Sequence, residues 1–244
     1  MGKVGSGTIL HSLVGTGFSS RPVAREEIPD LFGSRDRRVV VQTHNHNFAL
    51  EVRRFSDESA PPVGLVFVSG IRDLLRRNIS AFFENIDNYR NPWWYLGDRE
   101  RVLSMDLEEV IAKFRVLNAI HTRGLVLPWV TKFLVACNWD ANPFSAEDFE
   151  PDGWTTLTRG RLKVIWFKLE RLDGCFDRIM SELGCVALMI KANAGAEKWY
   201  SEMYAEFKRR YRPDPETIEL IYDSPIARAF YSAAELQAQK RGWG

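Results

Sequence analysis

The sequence predicts an α/β fold with a mainly parallel sheet and a helical C-terminal part. Three observations carry this. Runs of β-branched and aromatic residues at 38–43 (RVVVQT), 63–69 (VGLVFVS) and 162–169 (LKVIWFKL) read as buried strands. Apolar residues at three- and four-residue spacing lie between and after these runs, which reads as helix. Strands alternating with helices are what a parallel sheet with crossover helices requires.

In chain order, the glycine-rich opening Gly2-Lys3-Val4-Gly5-Ser6-Gly7-Thr8 precedes a helical pattern at Ile9, Leu10, Leu13 and Val14. The strand 38–43 follows, and 57–62 is a polar loop ending in proline. The strand 63–69 leads into a helix carrying Leu74, Leu75, Ile79, Phe82, Phe83 and Ile86. Residues 91–103 read as an aromatic loop with Trp93, Trp94 and Tyr95. Asp106 and Glu109 stand at capping-box spacing before a helix bearing Val110, Ile111 and Phe114. A second helix carries Trp129, Val130, Phe133 and Leu134, and 138–158 reads as irregular. The strand 162–169 precedes a helix through Phe176, Ile179, Met180 and Leu183, stopped by Gly184. Residues 186–191 read as a short last strand. Helices follow over 196–211 and from Pro215, Pro225 and Ser232, the last with a Ser232/Glu235 capping box. The expected organisation is one domain over 1–244, with a helical insert at about 91–160 and a helical C-terminal segment at about 196–241.

Composition narrows the function classes. Thirty-three Lys and Arg oppose 32 Asp and Glu, a formal charge of +1, so nothing global draws the chain to nucleic acid or an anionic membrane. An anion site has to be local. No run of 18 apolar residues is present, so no transmembrane helix is expected, and the N-terminus lacks a signal-peptide core. Cys137, Cys175 and Cys185 form no CxxC pair, which favours reduced thiols in a cytoplasmic chain.

Ligands of α/β sheets bind beyond the carboxyl ends of the strands, so residues there are the candidates. In the opening segment, glycines let the backbone approach an anion, Lys3 adds a charge, and Ser6 and Thr8 add hydroxyls. The Walker A order is absent. Arg72 follows a strand, and Ser80 stands eight residues on, a spacing that puts both on one face of a helix to hold one phosphate. Arg76 and Arg77 add charge. His44 follows the first strand as a candidate base, with His46 second. Alternation along an extended backbone turns these two histidines to opposite sides, and His11 and His121 have no ligand cluster, so no metal is expected. Trp93, Trp94, Trp139 and Trp154 suit stacking on sugars or anchoring of loops, whereas Trp166 and Trp199 read as core.

Taken together, the Gly-Lys-Val-Gly-Ser opening, the Gln42-Thr43-His44 strand end and the Arg72…Ser80 pair resemble the sulfotransferases that use 3′-phosphoadenosine 5′-phosphosulfate (PAPS). The C-terminal half resembles the putative capsular polysaccharide synthesis family, through Glu197-Lys198-Trp199-Tyr200-Ser201, Tyr204, Phe207 and Lys208. Arg77-Asn78-Ile79-Ser80-Ala81-Phe82-Phe83, Leu169-Glu170-Arg171-Leu172-Asp173 and Ala229-Phe230-Tyr231-Ser232 extend that likeness.

The resemblance implies a P-loop-like three-layer sandwich and transfer of a sulfuryl group from PAPS, without a metal, to a saccharide or small hydroxyl-bearing acceptor. It implies that Lys3, Gly5, Ser6, Gly7 and Thr8 hold the phosphosulfate, with Lys3 neutralising charge on the oxygens in transit. Arg72 and Ser80 would hold the 3′-phosphate, His44 would be the base, and His46 or the remoter Glu51 would be its substitute. Lys198 and Lys208-Arg209-Arg210 would close over the nucleotide or form a solvated face. The sequence departs from the family patterns at Gln42, Leu74, Glu197, Pro225 and Ala229. In the superfamily a buried strand precedes the phosphosulfate loop, so the expectation is either a coding sequence continuing upstream or a sheet lacking that strand. The alternatives are a non-catalytic nucleotide- or glycan-binding relative and, more remotely, a nucleotide-dependent kinase.

Overall fold

The computed structural model of the protein describes residues 39–42, 65–91, 93–122, 145–149, 151–159, 162–189 and 198–243. In chain order the elements are β1 (Val39–Gln42), β2 (Leu65–Ile71), α1 (Leu74–Asn85), α2 (Arg99–Ser104), α3 (Leu107–His121), β3 (Trp154–Arg159), β4 (Leu162–Lys168), α4 (Leu172–Glu182), α5 (Ser201–Arg210), α6 (Pro215–Tyr222), α7 (Pro225–Phe230) and α8 (Ala233–Arg241). Short 3-10 turns cover Ala146–Phe149 and Leu169–Arg171. These residues fall into two compact units. One holds the sheet and α4, and the other holds the remaining helices. None of the described helices is long and apolar enough to cross a membrane.

The sheet unit is a mixed sheet in the order β1-β2-β4-β3. β1 pairs parallel with β2, and β2 pairs parallel with β4, with Ile71 opposite Lys168. β3 runs antiparallel to β4, with Trp154 opposite Phe167. The reading of 138–158 as irregular is therefore corrected from Trp154 on. Its run Trp154-Thr155-Thr156-Leu157-Thr158 is aromatic and β-branched, and it finds a partner in β4. In β4, Val164, Ile165, Trp166, Phe167 and Lys168 are all buried, so both faces of the strand are covered.

α4 supplies the layer on this sheet. Leu172, Cys175, Phe176, Ile179, Met180 and Leu183 recur at helical spacing and pack on Val68, Ile165 and Phe167. Each large side chain buried there contributes about 1.5–3 kcal/mol. Gly184 ends the helix as expected. At φ 71 it takes the left-handed conformation, its N–H donates to Ser181 C=O, and Cys185 N–H donates to Met180 C=O, closing a Schellman motif.

The expected strand from 186 is not formed over the described part. Residues 185–189 form no regular element, with Cys185, Ala187 and Met189 against the α4 core and Val186 and Leu188 in solvent. The alternation that suggests a strand is present. The ladder partner, a tertiary matter, is not.

In the helical unit, α1 begins at Asp73, whose carboxylate accepts the Arg76 N–H at 2.9 Å. From Leu74 to Phe83 every residue of α1 but Arg76 is buried. Phe82 meets Phe114 of α3 at 5.2 Å between ring centroids, and Phe83 meets Phe207 of α5 at 5.1 Å. Edge-to-face pairs of this kind add about 0.5–1.5 kcal/mol beyond area burial.

α2 lies within the stretch read as loop at 91–103. Its N-cap Asp98 accepts the Arg101 N–H, a signal hidden beside three aromatic residues. At α3, Asp106 accepts the Glu108 N–H at 3.4 Å, while Glu109 pairs with Lys113, so the Asp106/Glu109 pair does not form the expected reciprocal box. The Ser232/Glu235 box at α8 is complete, and Pro215 and Pro225 open α6 and α7.

Candidate functional site

In the sheet unit, the chemistry gathers at the carboxyl ends of the parallel strands. β2 ends at Ile71 and β4 at Lys168, directly opposite each other, so Arg72 leaves the sheet beside Lys168 and Leu169. Arg72 is half-buried. Lys168 is 1% exposed, its backbone N–H donates to Gly153 C=O at 2.7 Å, and its Nζ lies 5.5 Å from the centroid of the Phe149 ring. Burying an ammonium is costly, and the ring quadrupole offsets part of that cost.

The wall beside it is tightly built. Gly153 has φ +75, and a Cβ placed there would stand 2.4 Å from Arg171 Cβ. Next to it in sequence, Asp152 pairs with Arg178 of α4. Both residues stand at the edge where α/β sheets receive ligands, Arg72 half-buried and Lys168 enclosed against Phe149, so Arg72 is the one suited to an anionic group. Sequence reasoning does not single out Lys168. Its one signal is a lysine closing an otherwise apolar strand run.

Of the other expected site residues, Ser80 lies in α1 of the helical unit. It is 9% exposed, and its hydroxyl shares a hydrogen bond with Tyr204 at 3.2 Å. Arg76 is exposed, and its guanidinium lies 5.7 Å from the Trp243 ring centroid. Arg77 is buried and donates to Asn78 Oδ1. Lys3, Gly5, Ser6, Gly7, Thr8, His44, His46 and Glu51 lie outside the described residues, as do His11, Trp139 and Cys137.

The residues behind the second resemblance hold helices together. Tyr200 Oη donates to Glu84 at 2.8 Å, and Lys198 Nζ lies 3.8 Å from the same carboxylate. Burial first, and then the hydrogen bond to Glu84, push the Tyr200 phenol up. Lys208 sits over the Tyr204 ring at 4.3 Å, while Arg209 and Arg210 pair with Glu206 and Glu108. Trp199 is half-buried under Arg99 rather than in the core, and Trp166 is fully buried.

Two further buried polar sets carry no signal in the sequence. Tyr222 Oη donates to Asp73, lying 2.9 and 3.0 Å from its two oxygens, and accepts from Trp243 Nε1 at 2.6 Å. Burial first, then the Asp73 charge, hold the Tyr222 phenol well above its ordinary range. Asn78 Nδ2 donates to Asn118 Oδ1 at 2.8 Å and to Thr122 Oγ1 at 3.1 Å. Beside this network His121 is buried, 4.4 Å from the Trp94 ring centroid, with neither ring nitrogen hydrogen-bonded. Burial, then the Arg77 charge, lower its pKa to about 3.

Cys175 and Cys185 are free thiols, and burial raises Cys175 to about 11. Among the described residues no three His, Cys, Asp or Glu side chains gather as metal ligands would. No family model, curated protein or solved structure matches the chain.

Proposed function

We propose that this chain transfers a sulfuryl group from PAPS to a hydroxyl of a saccharide or small-molecule acceptor. The observation that supports it best is the position of Arg72, half-buried and directly after β2 at the carboxyl edge of the parallel strands. The motif resemblance gives that anion site its chemical reading. Arg72 presents a planar fork to the 3′-phosphate. In the reaction the acceptor oxygen bonds to sulfur as the bond from sulfur to the bridging phosphate oxygen breaks. The nucleotide leaves as 3′-phosphoadenosine 5′-phosphate, and His44 takes the acceptor's proton. Such catalysis consists mainly of positioning and charge stabilisation.

Thermal unfolding with 3′-phosphoadenosine 5′-phosphate and with ATP tests the donor half. At a ligand concentration of 100 Kd the stabilisation is about 2.7 kcal/mol. That raises Tm by about 5–11 °C for a protein of this size. Arg72→Ala removes most of the rise. A rise as large with ATP, or none with the bisphosphate, refutes the donor assignment. Labelled-sulfate transfer tests the chemistry, with His44→Ala slower by about 10²–10⁴. Nucleotide binding without any transfer would support the non-catalytic alternative instead.

A further inference from the structure

We propose that the loop from Ile86 to Leu96 is an acid-released latch, held shut by Trp94 over the uncharged ring of His121. The inference goes beyond the proposed reaction and does not depend on it.

Trp94 is the latch itself. Its side chain is 2% exposed and meets His121 at 4.4 Å between ring centroids, Phe82 at 5.9 Å and Phe114 at 6.2 Å. Between Asp87 and Leu96, Trp94 alone among the described residues is buried. The loop is otherwise held by few bonds. Leu96 N–H donates to Ile86 C=O at 2.9 Å, and Trp94 N–H donates to Asn91 C=O at 3.2 Å. Arg99 pairs with Asp87 at the base, and an ion pair with so exposed an arginine adds little. Segments with few buried contacts open locally at low cost.

The floor beneath the latch is fixed. Asn78 Nδ2 of α1 donates to Asn118 Oδ1 and to Thr122 Oγ1 at 2.8 and 3.1 Å, which ties the end of α3 to α1 from the other side. The loop, rather than the helix end, is therefore the part free to lift.

His121 supplies the trigger. It is 9% exposed, and neither ring nitrogen has a hydrogen-bond partner. A proton on this ring would bury a charge and two N–H donors with nothing to accept from them. The charges that act on it, Arg77 of α1 and the chain's amino group, are both positive and oppose that proton further. The loop's own Asp87 is engaged with Arg99. Burial first, then these charges, hold the closed ring at a pKa of about 3, whereas a released imidazole titrates at its ordinary 6.5. The proton consequently binds the open form, and each pH step below about 6.5 favours opening about tenfold. Lifting Trp94 hydrates both nitrogens and uncovers the Phe82 and Phe114 rings it covers.

Hydrogen exchange of the full chain, followed by mass spectrometry and corrected for the intrinsic effect of pH, tests this. Between about pH 7 and about pH 5, corrected exchange in peptides spanning 86–96 should rise about 25-fold, the ratio that one proton with these two pKa values gives. Ordinary carboxylates, with pKa about 4, stay ionised over that interval. Protection in α4, which belongs to the other unit, should hold, marking the opening as local. His121→Phe keeps a ring under Trp94 but cannot titrate, so its exchange in 86–96 should not change with pH. His121→Leu, with a smaller apolar side chain, should behave the same way and serves if the phenyl ring does not fit. Equal corrected exchange at the two pH values, a rise that survives in the folded variants, or loss of α4 protection in step with the loop overturns the inference.

Discussion

Replacing Tyr222 by Phe removes one oxygen from a buried chain of hydrogen bonds. That oxygen donates to the Asp73 carboxylate and accepts from Trp243 Nε1. A hydrogen bond to a charged acceptor contributes about 1.5–3 kcal/mol. Asp73 is 2% exposed and keeps the Arg76 N–H at 2.9 Å and Arg76 Nε at 3.8 Å, which limits the damage. Trp243 is only half-buried, so its indole N–H recovers a water partner. The expected loss is about 2 kcal/mol, or about 4–8 °C in Tm for a chain of this length.

A pH signature accompanies it. The Tyr222 phenol is raised in the folded state, so its contribution is fully present below the unfolded value near pH 10 and is lost as pH rises beyond it. Tyr222→Phe should therefore lose less stability than wild type between neutral pH and about pH 10.5. Some alkaline loss should remain, because burial also raises Tyr200 and Tyr211. Urea melts followed by tryptophan fluorescence at the two pH values read both effects. A variant within about 0.5 kcal/mol of wild type at neutral pH, with an unchanged alkaline limb, would refute the reasoning.

His121 is held neutral in the folded state, so its contribution is present above about pH 6.5 and is lost as pH falls toward about 3. His121→Phe keeps a ring beside Trp94, removes two buried nitrogens without partners, and should flatten acid unfolding in that window; acid titration by circular dichroism checks it. Gly153→Ala should destabilise by about 1–3 kcal/mol, because φ +75 strains any side chain and its Cβ would meet Arg171 at 2.4 Å. Gly174→Ala, inside α4 with nothing within 4 Å of the added methyl, should stabilise by about 0.5–1 kcal/mol in the same chemical melts.

Elements whose signals are local are legible in the residues themselves. Pro215 and Pro225 at helix starts, the Ser232/Glu235 box and Gly184 at a helix end act through hydrogen bonds and dihedrals within a few residues. The parallel pairing of β2 with β4 is legible from apolar runs separated by helices, and the edge to question follows from it. Lys168 is harder to see, because sequence alone does not reveal that a strand-ending lysine will be buried opposite Ile71.

Sequence determined the α/β class, the helix boundaries that caps define, and Arg72 as a residue at a strand's end. Tertiary structure decided which segments joined the sheet: Trp154–Arg159 became β3, and the alternating 185–189 formed no strand. It also decided the fate of polar side chains, engaging Ser80 with Tyr204, burying Arg77 and leaving Trp93 in water beside a buried Trp94. The physical reason is range. Caps and turns are set by neighbours along the chain, whereas ladders, burial and side-chain pairs are set by residues brought together from across 116 and 149 positions, as Tyr200–Glu84 and Tyr222–Asp73 are.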